Sequence, residues 1–379
     1  MLDGQCGIAS LSVTGPAPLK ANIAAEVRNF HPDLLIDRQT LPRLDRFAQF
    51  ALLAGREAVA DAGIAFDEAL AARTGIVLGT AIGGIQTVEE GSQKLYLDNS
   101  TRVHPLSVPR VMLNGGVSAL SMDLGIRGPG FAVSSACSSS NHAIAQALAM
   151  IRSGMIDVAI TGGSDAPLTY GHIRAWEALR ILAPETCQPF SLERKGLALG
   201  EGAGVIVLES EDHVRRRGAR IYAELAGCGL SCDAGDLLLP DADGARRAIT
   251  SALADGKIAL DEIDYINAHG TGTTANDINE TQAVHRVFGA QAGNLSMSST
   301  KSMHGHALGA AGGIEAVATV LSIFHGTLPP TINFGTPDPL CDLDYVPNQA
   351  RQSKVRAALS NSFAFGGLNA VLAFRAFNG

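Results

Sequence analysis

The sequence has 379 residues, of which 46% are hydrophobic and 17% are charged, and its formal net charge is −8. This composition supports a large buried core and excludes a disordered chain, while the negative balance argues against nucleic-acid binding and leaves no basic tract for a membrane surface. Because no long apolar run is free of charged or turn-forming residues, and residues 1–15 lack a secretory signal pattern, we predict a cytoplasmic enzyme with no membrane span.

Short apolar runs typical of strands alternate with helical patterns along the chain. The predicted strands are residues 75–79, 130–134, 158–162, 203–209, 265–268, 295–298 and 370–375. The predicted helices are residues 47–62, 140–152, 244–254 and 314–324. Apolar strands that alternate with helices predict a buried, mostly parallel sheet, so the fold class is α/β.

The two halves of the chain repeat one arrangement. In the first half a predicted strand runs into a small-residue turn that carries Cys137, and in the second half a strand runs into a turn that carries His269. Chemistry at the carboxyl ends of strands predicts that the two halves meet at a shared site.

Cys137 is singled out among six scattered cysteines by its surroundings. It lies in a serine-rich turn just before a predicted helix, for which Gly154 is a suitable C-terminal residue. Unpaired N–H groups and the dipole at a helix start favour a thiolate, and neighbouring amides could hold an oxyanion. The alternative is a buried structural cysteine in a tight turn. None of the cysteines forms a CxxC pair, so we expect neither a disulfide framework nor structural zinc.

The turn after residue 268 places His269 among Gly and Thr residues, with Asp277 and Glu280 on a following helical turn. Such a histidine is held rigidly among backbone groups. A lone histidine in a turn is more often structural, so this segment indicates a catalytic role only when it is considered together with Cys137.

Residues 299–306 add Lys301, His304 and His306. A buried lysine would need a carboxylate partner. Chemistry alone does not rank the two histidines. A metal site is the competing interpretation, but an organised ligand set is lacking and we predict no metal. Further along, Phe365 lies beside two glycines, where it is either a mobile gate or a packed core ring.

Together these segments resemble the elongating β-ketoacyl-[acyl-carrier-protein] synthases over nearly the whole chain. Further motifs that carry the resemblance lie at residues 4–8, 79–84, 127–129, 194–196, 199–204 and 328–333. The resemblance implies a thiolase-like fold in which two βαβ-rich halves form a five-layered αβαβα core, normally in a homodimer. Residues 1–225 would form the half with the nucleophile, and residues 226–379 the half with the histidine pair.

The resemblance also implies roles for individual residues. Cys137 is the acyl-accepting nucleophile, and His269 and His306 form the histidine pair, since the family's second histidine lies five residues after its lysine. Lys301 and Glu280 resemble the family's supporting pair, and the backbone N–H of Phe365 would complete the oxyanion hole. The implied substrate-binding residues are Ile82, Trp176, Thr271, Thr273, Ala364 and Gly366. The implied docking residues for the acidic carrier protein are Arg43, Arg102 and Arg180.

The implied reaction is a decarboxylative Claisen condensation that lengthens a fatty-acyl or polyketide chain by two carbons. The partner is acyl carrier protein with an acyl or malonyl group on its 4′-phosphopantetheine arm, so no cofactor of the enzyme's own is implied. Degradative thiolases show Cys–His–Cys and chain-starting synthases Cys–His–Asn at these positions. Two alternatives remain: a malonyl decarboxylase-like initiator, and a non-catalytic or specificity partner subunit of a condensing-enzyme heterodimer.

Four features depart from the family pattern. Trp176 stands where Phe is usual, Ala364 and Leu368 replace a glycine and a threonine, and the family's first strand has no counterpart after Met1. We hypothesise that the start lies upstream and that the missing strand lies centrally in the first sheet. The substitutions favour a specialised branch, either nodulation protein E-like or type II polyketide ketosynthases.

Overall fold

The computed structural model describes residues 1–377, which form fourteen strands and twelve α-helices. The strands are β1 (Ala9–Ser10), β2 (Ile23–Ala25), β3 (Thr74–Gly79), β4 (Gly130–Val133), β5 (Val158–Asp165), β6 (Leu199–Gly200), β7 (Gly202–Glu209), β8 (Glu224–Cys232), β9 (Ile263–Asn267), β10 (Ser296–Ser298), β11 (Thr327–Leu328), β12 (Arg351–Gln352), β13 (Ala357–Ala364) and β14 (Leu368–Arg375). The helices are α1 (Arg46–Ala62), α2 (Glu68–Ala72), α3 (Ile85–Tyr96), α4 (Ser107–Val111), α5 (Gly115–Leu124), α6 (Ser139–Arg152), α7 (Tyr170–Ala178), α8 (Glu211–Arg217), α9 (Ala242–Gly256), α10 (Thr274–Phe288), α11 (Lys301–His304) and α12 (Ala311–His325).

The first large sheet has the order β4-β3-β5-β7. Its central strand β3 runs parallel to β4 and β5, and β7 closes one edge antiparallel to β5. Every residue of β3 and β5 is buried. Strands buried on both faces form continuous apolar runs in the sequence, which is why the sequence predicts β3 and β5. It also predicts β4 and β7, which are less buried.

The second large sheet has the order β10-β9-β13-β14-β8. Strand β9 runs parallel to β10 and β13, whereas β14 pairs antiparallel with β13 and with β8. The predicted strands correspond to β9, β10 and β14. The sequence analysis missed β8 and β13, although every residue of β13 is buried.

Five layers follow from how the helices pack on these sheets. Helices α1 and α5 cover the outer face of the first sheet, and α9 with α10 covers the outer face of the second. Helices α6 and α12 lie between the sheets. Helix α6 shows why: Ala143 packs beside Val77 of the first sheet, while Ile144 packs beside Tyr265 of the second. The predicted five-layered α/β arrangement is confirmed.

The two central helices are long and apolar because both of their faces are covered. The run Leu308–His325 meets the length and hydropathy of a membrane span, yet two thirds of it is buried inside the protein. A buried core helix explains this composition. Nine of the fourteen residues of α6 are buried.

Comparison of the two sheets bears on the expected place of the family's first strand. In the second sheet the first strand in chain order, β8, lies at the edge beside β14. The corresponding edge of the first sheet is β7, which borders a groove of about 440 Å³ lined by residues of β7 and α12. The second sheet therefore favours an edge position beside β7 over a central one, and the place of that strand stays a prediction. The predicted division between residues 225 and 226 falls inside β8, and the two-half assignment remains a prediction.

Candidate active site

Cys137 lies in the turn between β4 and α6, as predicted. Ala136 has φ +50°, and the side chain of Ser139 accepts a hydrogen bond from Ser135 N, so the turn is tightly closed before α6 begins. The helix ends at Arg152 and Gly154 has φ +73°, which matches its expected role at the helix end. The nucleophile candidate is therefore held in a rigid turn two residues before a helix.

Burial opposes the expected thiolate. Cys137 is 6% exposed, and burial raises the pKa of its thiol to about 11. Lys301 and the backbone N–H groups of Phe365 and of Cys137 itself act in the opposite direction. The site at rest holds a thiol, so the sulfur must lose its proton when it attacks. The same two amides are those predicted to form the oxyanion hole.

His269 follows β9 directly and faces Lys301. The Lys301 Nζ lies 3.4 Å from His269 Nδ1. An ammonium group can only donate, so Nδ1 accepts this bond and the ring proton resides on Nε2. Burial, and then the charge of Lys301, hold the pKa of His269 well below its ordinary value. His269 is therefore a neutral imidazole with one N–H available to a ligand.

His306 lies next to His269, with ring centroids 5.4 Å apart and planes at 83°. It is 2% exposed, and neither ring nitrogen has a hydrogen-bond partner among residues 1–377. Burial and Lys301 hold its pKa well below the ordinary value. A buried imidazole without partners is unfavourable unless a ligand supplies them. His304 instead bonds through Nε2 to Thr300 Oγ1 at 3.0 Å, within its own helix. The geometry therefore pairs His306, and not His304, with His269.

The carboxylate partner of Lys301 differs from the prediction. Lys301 is fully buried and forms its ion pair with Glu315 of α12, which the sequence analysis did not select. The expected direct pairing of Lys301 with Glu280 is wrong. Glu280 instead accepts hydrogen bonds from the backbone N–H groups of His269 and Gly270, both at 2.8 Å. The carboxylate of Glu280 thus fixes the turn that carries His269. A signal for this role is present in the sequence, because Glu280 lies on the helix that follows that turn.

Phe365 lies in the hairpin turn between β13 and β14. Gly366 and Gly367 adopt φ values of +81° and +68°, and Gly366 N donates to the carbonyl of Leu237 at 2.8 Å. Ala364 is the last residue of β13 and is buried, so its Cβ lies within regular strand geometry. The turn thus presents the Phe365 amide to Cys137 while its two glycines take the strained positions.

A second buried carboxylate, Asp165 at the end of β5, was also missed. It accepts from Thr80 Oγ1 at 2.6 Å, Ala81 N at 2.8 Å and Gly309 N at 2.7 Å. Burial raises its pKa to about 6. Asp165 ties the loop after β3 to the segment that follows His306, and so joins the two halves beside the site.

Four of the six predicted substrate-binding residues form two groups. Thr273 caps the start of α10, and its hydroxyl lies 2.9 Å from that of Thr271. Ile82 and Trp176 lie with Phe365 in one apolar cluster. The structure thus places the threonines at the histidine turn and the apolar residues behind Phe365.

The predicted docking residues Arg43, Arg102 and Arg180 are all exposed. Within residues 1–377 none of them has a salt-bridge partner. Arg180 lies just after α7 with φ +57°. Over the same described part of the chain, no group of three or more His, Cys, Asp or Glu residues is placed to hold a metal ion.

Family comparisons agree with this geometry. Residues 2–213 match the beta-ketoacyl synthase N-terminal domain, and residues 222–335 match the C-terminal domain. Nodulation protein E of Rhizobium sp. (strain N33) is 49% identical over 99% of this chain and 93% of its own length. The 3-oxoacyl-[acyl-carrier-protein] synthase 2 of Staphylococcus aureus (strain COL) is 41% identical over 99% of this chain and 92% of its own length.

Solved structures show the same architecture. The ishigamide ketosynthase/chain length factor superposes with a TM-score of 0.94 at 36% identity, covering 100% of this chain and 93% of the other. A type II polyketide ketosynthase, bound to the hexaketide and in complex with its acyl-carrier protein, gives a TM-score of 0.91 at 33% identity, with 99% and 93% coverage. The predicted thiolase-like fold is therefore confirmed.

Proposed function

The chain belongs to the beta-ketoacyl synthase family and is an acyltransferase of the condensing type, and we propose that it joins an acyl group held on Cys137 to a malonyl group with loss of CO2. The observation that carries this proposal is the convergence of a buried thiol, two oxyanion amides and two neutral histidines. Cys137 is present in the turn before α6, which favours a catalyst over a non-catalytic partner subunit.

In the first step the sulfur of Cys137 attacks the thioester carbon of the incoming acyl group. The carbon–sulfur bond to pantetheine breaks, and the thiol proton passes to the departing pantetheine sulfur. Charge develops on the carbonyl oxygen in the transition state. The N–H groups of Cys137 and Phe365 stabilise this oxyanion, and fixed donors of this kind are each worth about 10²–10³-fold in rate.

In the second step the malonyl carboxylate leaves as CO2 and its electrons form an enolate at the thioester. The enolate oxygen accepts hydrogen bonds from His269 Nε2 and from a ring nitrogen of His306. The enolate carbon then attacks the acyl carbon, and the Cys137 sulfur leaves as a thiolate that takes a proton from solvent. Both histidines must be neutral and must keep an N–H toward the ligand, which agrees with their lowered pKa values.

Lys301 supports this step from behind. Its ammonium group fixes the tautomer of His269, while Glu315 neutralises its charge and Glu280 holds the histidine turn. These groups are positioning residues, because their contacts reach the histidines and not the reacting carbon atoms.

The proposed substrates are carried by acyl carrier protein, on whose pantetheine arm both groups arrive. Carrier proteins are acidic, so the unpaired and exposed Arg43, Arg102 and Arg180 suit their docking. We place the enzyme in the cytoplasm. The higher identity to nodulation protein E than to 3-oxoacyl-[acyl-carrier-protein] synthase 2 favours a specialised branch over the housekeeping enzyme.

We propose that the working form is a homodimer. Strand β4 is an edge of the first sheet, and Phe131 within it is 37% exposed. Helix α5 packs against β4 and α4 packs against α5. These helices and the turn between them carry exposed apolar side chains, namely Val108, Met112, Leu113 and Met122. An open edge strand beside an apolar surface is suited to pairing with a second copy.

Mass spectrometry of the purified chain tests the proposed reaction. Incubation with acyl carrier protein bearing an acyl group should add that group to Cys137, and malonyl carrier protein should then discharge it as a β-ketoacyl product. The Cys137→Ala variant should form no adduct. A folded wild-type dimer without an adduct would contradict the proposal and favour a partner-subunit role.

A further inference from the structure

Trp176, the single tryptophan of the chain, is held by a hydrogen bond to a histidine one turn earlier in its helix. Its indole Nε1–H donates to His172 Nε2 at 2.8 Å. On its other side the indole stacks on Phe365, with centroids 5.9 Å apart and planes at 24°. The ring is therefore fixed between a histidine and the residue that supplies an oxyanion amide.

The bond requires a particular state of His172. An indole N–H can only donate, so His172 Nε2 must be the acceptor and Nδ1 must carry the ring proton. Burial lowers the pKa of His172, which keeps it neutral, while Glu89 is the charged group that acts on it in the opposite direction. Glu89 also accepts from the N–H groups of Tyr170 and Gly171 at 2.9 Å and 2.7 Å, and so anchors the start of α7.

The location of the indole gives this bond a consequence for substrate. Trp176 is 9% exposed and lies in an apolar cluster with Phe365. Other members of the cluster include Ile82, Leu168, Leu197, Leu199 and Leu308. A chain attached to Cys137 that extends past Phe365 into this cluster meets the indole. To make room the indole must rotate, which breaks its bond to His172 and leaves a buried N–H unpaired.

We infer that His172 is a positioning residue whose hydrogen bond holds Trp176 as the wall that limits the length of the acyl chain. This inference rests on the proposed acyl transfer to Cys137. It assigns chain-length selection to a polar contact outside the Cys–His–His set. A ring held only by apolar packing would yield more easily to a longer chain.

Chain-length preference provides the first test. Single-turnover acylation of Cys137 is measured with a short and a long saturated acyl-pantetheine thioester, which bypasses carrier docking. His172→Leu should raise the long-to-short ratio of kcat/KM about 5- to 10-fold, as expected for the loss of one hydrogen bond. The rate with the short thioester should not change. His172→Gln keeps an acceptor and should retain the wild-type ratio. The matched control is Arg174→Gln, on the exposed face of the same helix, which should also leave the ratio unchanged.

Fluorescence of Trp176 provides the second test, independent of acyl transfer. Loss of the indole hydrogen bond in His172→Leu should shift the emission maximum to shorter wavelength, and His172→Gln should restore it. An unchanged emission in His172→Leu would refute the bond. A shifted emission with an unchanged ratio would refute the role of Trp176 as the wall. If wild type forms no acyl-Cys137, the proposed function and the wall both fail, while the emission still reports whether the bond exists.

Discussion

The first half of the chain presents Cys137 with backbone amides and small side chains, whereas the second half presents its histidines above buried charged groups. The neighbours of Cys137 in its turn are serines and an alanine. Below His269 and His306 lie Lys301 and Glu315, both fully buried. The first half thus offers a rigid turn of small side chains, and the second half a desolvated pair of opposite charges.

This difference shows that the nucleophile depends on the other half for its reactivity. Burial is the main cause of the raised pKa of Cys137, and the largest opposing influence is the charge of Lys301, contributed by α11. Neither half alone contains the site. Removal of the Cys137 side chain should abolish the chemistry and leave the fold intact, whereas removal of the Lys301 side chain should affect both.

The largest expected effect comes from Cys137→Ala. Condensation should fall on the order of 10⁴-fold or more, because the atom that carries the acyl group is gone. Stability should change by no more than about 1 kcal/mol, since no charge or hydrogen-bond network is broken. Product formation and urea unfolding measure the two quantities. A large loss of stability in this variant would contradict the view that the Cys137 turn contributes to chemistry and not to the fold.

Lys301→Met should lower both activity and stability. Glu315 would remain buried without a cation, and breaking a buried ion pair costs about 3–5 kcal/mol. The double variant Lys301→Met/Glu315→Leu removes both charges and should regain most of the free energy of unfolding, but not the activity. If the double variant recovered activity, Lys301 would have no role in positioning His269.

Asn141→Ala tests the seam between the halves, which we define as the contact of α6 with strands β13 and β14. Asn141 of α6 donates through Nδ2 to the carbonyls of Ser360 and Ala370 at 3.1 Å and 3.2 Å. Its loss leaves buried carbonyls unpaired, so the free energy of unfolding should fall by about 1–3 kcal/mol. Gln146→Ala, on the exposed side of the same helix, should have little effect. Equal losses in both variants would mean that helix propensity, and not the seam, is responsible.

The smallest expected effect concerns docking. Replacing Arg43, Arg102 and Arg180 together by Glu should raise the KM for acyl carrier protein about 10-fold, and added salt should weaken the difference. The KM for a small acyl thioester should not change. An unchanged KM for the carrier protein would remove these residues from the docking surface.

The sequence predicts the reactive residues better than their surroundings. Cys137 and His269 each follow an apolar strand, and the resemblance selected His306 over His304. Glu315 was missed because it lies within the otherwise apolar helix α12 and has no local signal. Strand β13 was missed because Ser360, Asn361 and Ser362 interrupt its apolar pattern, although all three are buried.

Other properties arise only from the folded packing. The raised pKa of Cys137 reflects its burial, and the stacking of Trp176 on Phe365 depends on where the turn between β13 and β14 lies. Predicting Glu280 as the partner of Lys301 failed for a similar reason. The Glu280 carboxylate accepts from the amides of the turn that carries His269, and this could not be read from spacing.

In the proposed mechanism the first half accepts the acyl group and the second half activates the malonyl group. This division is tested most directly by measuring acylation of Cys137 and loss of CO2 separately in His306→Ala. Mass spectrometry follows the acyl adduct on Cys137, and release of labelled CO2 follows the malonyl group. We predict an adduct at the wild-type level and CO2 release reduced about 10²–10³-fold. A folded His306→Ala enzyme that releases CO2 at the wild-type rate, or that fails to acylate Cys137, would contradict the account.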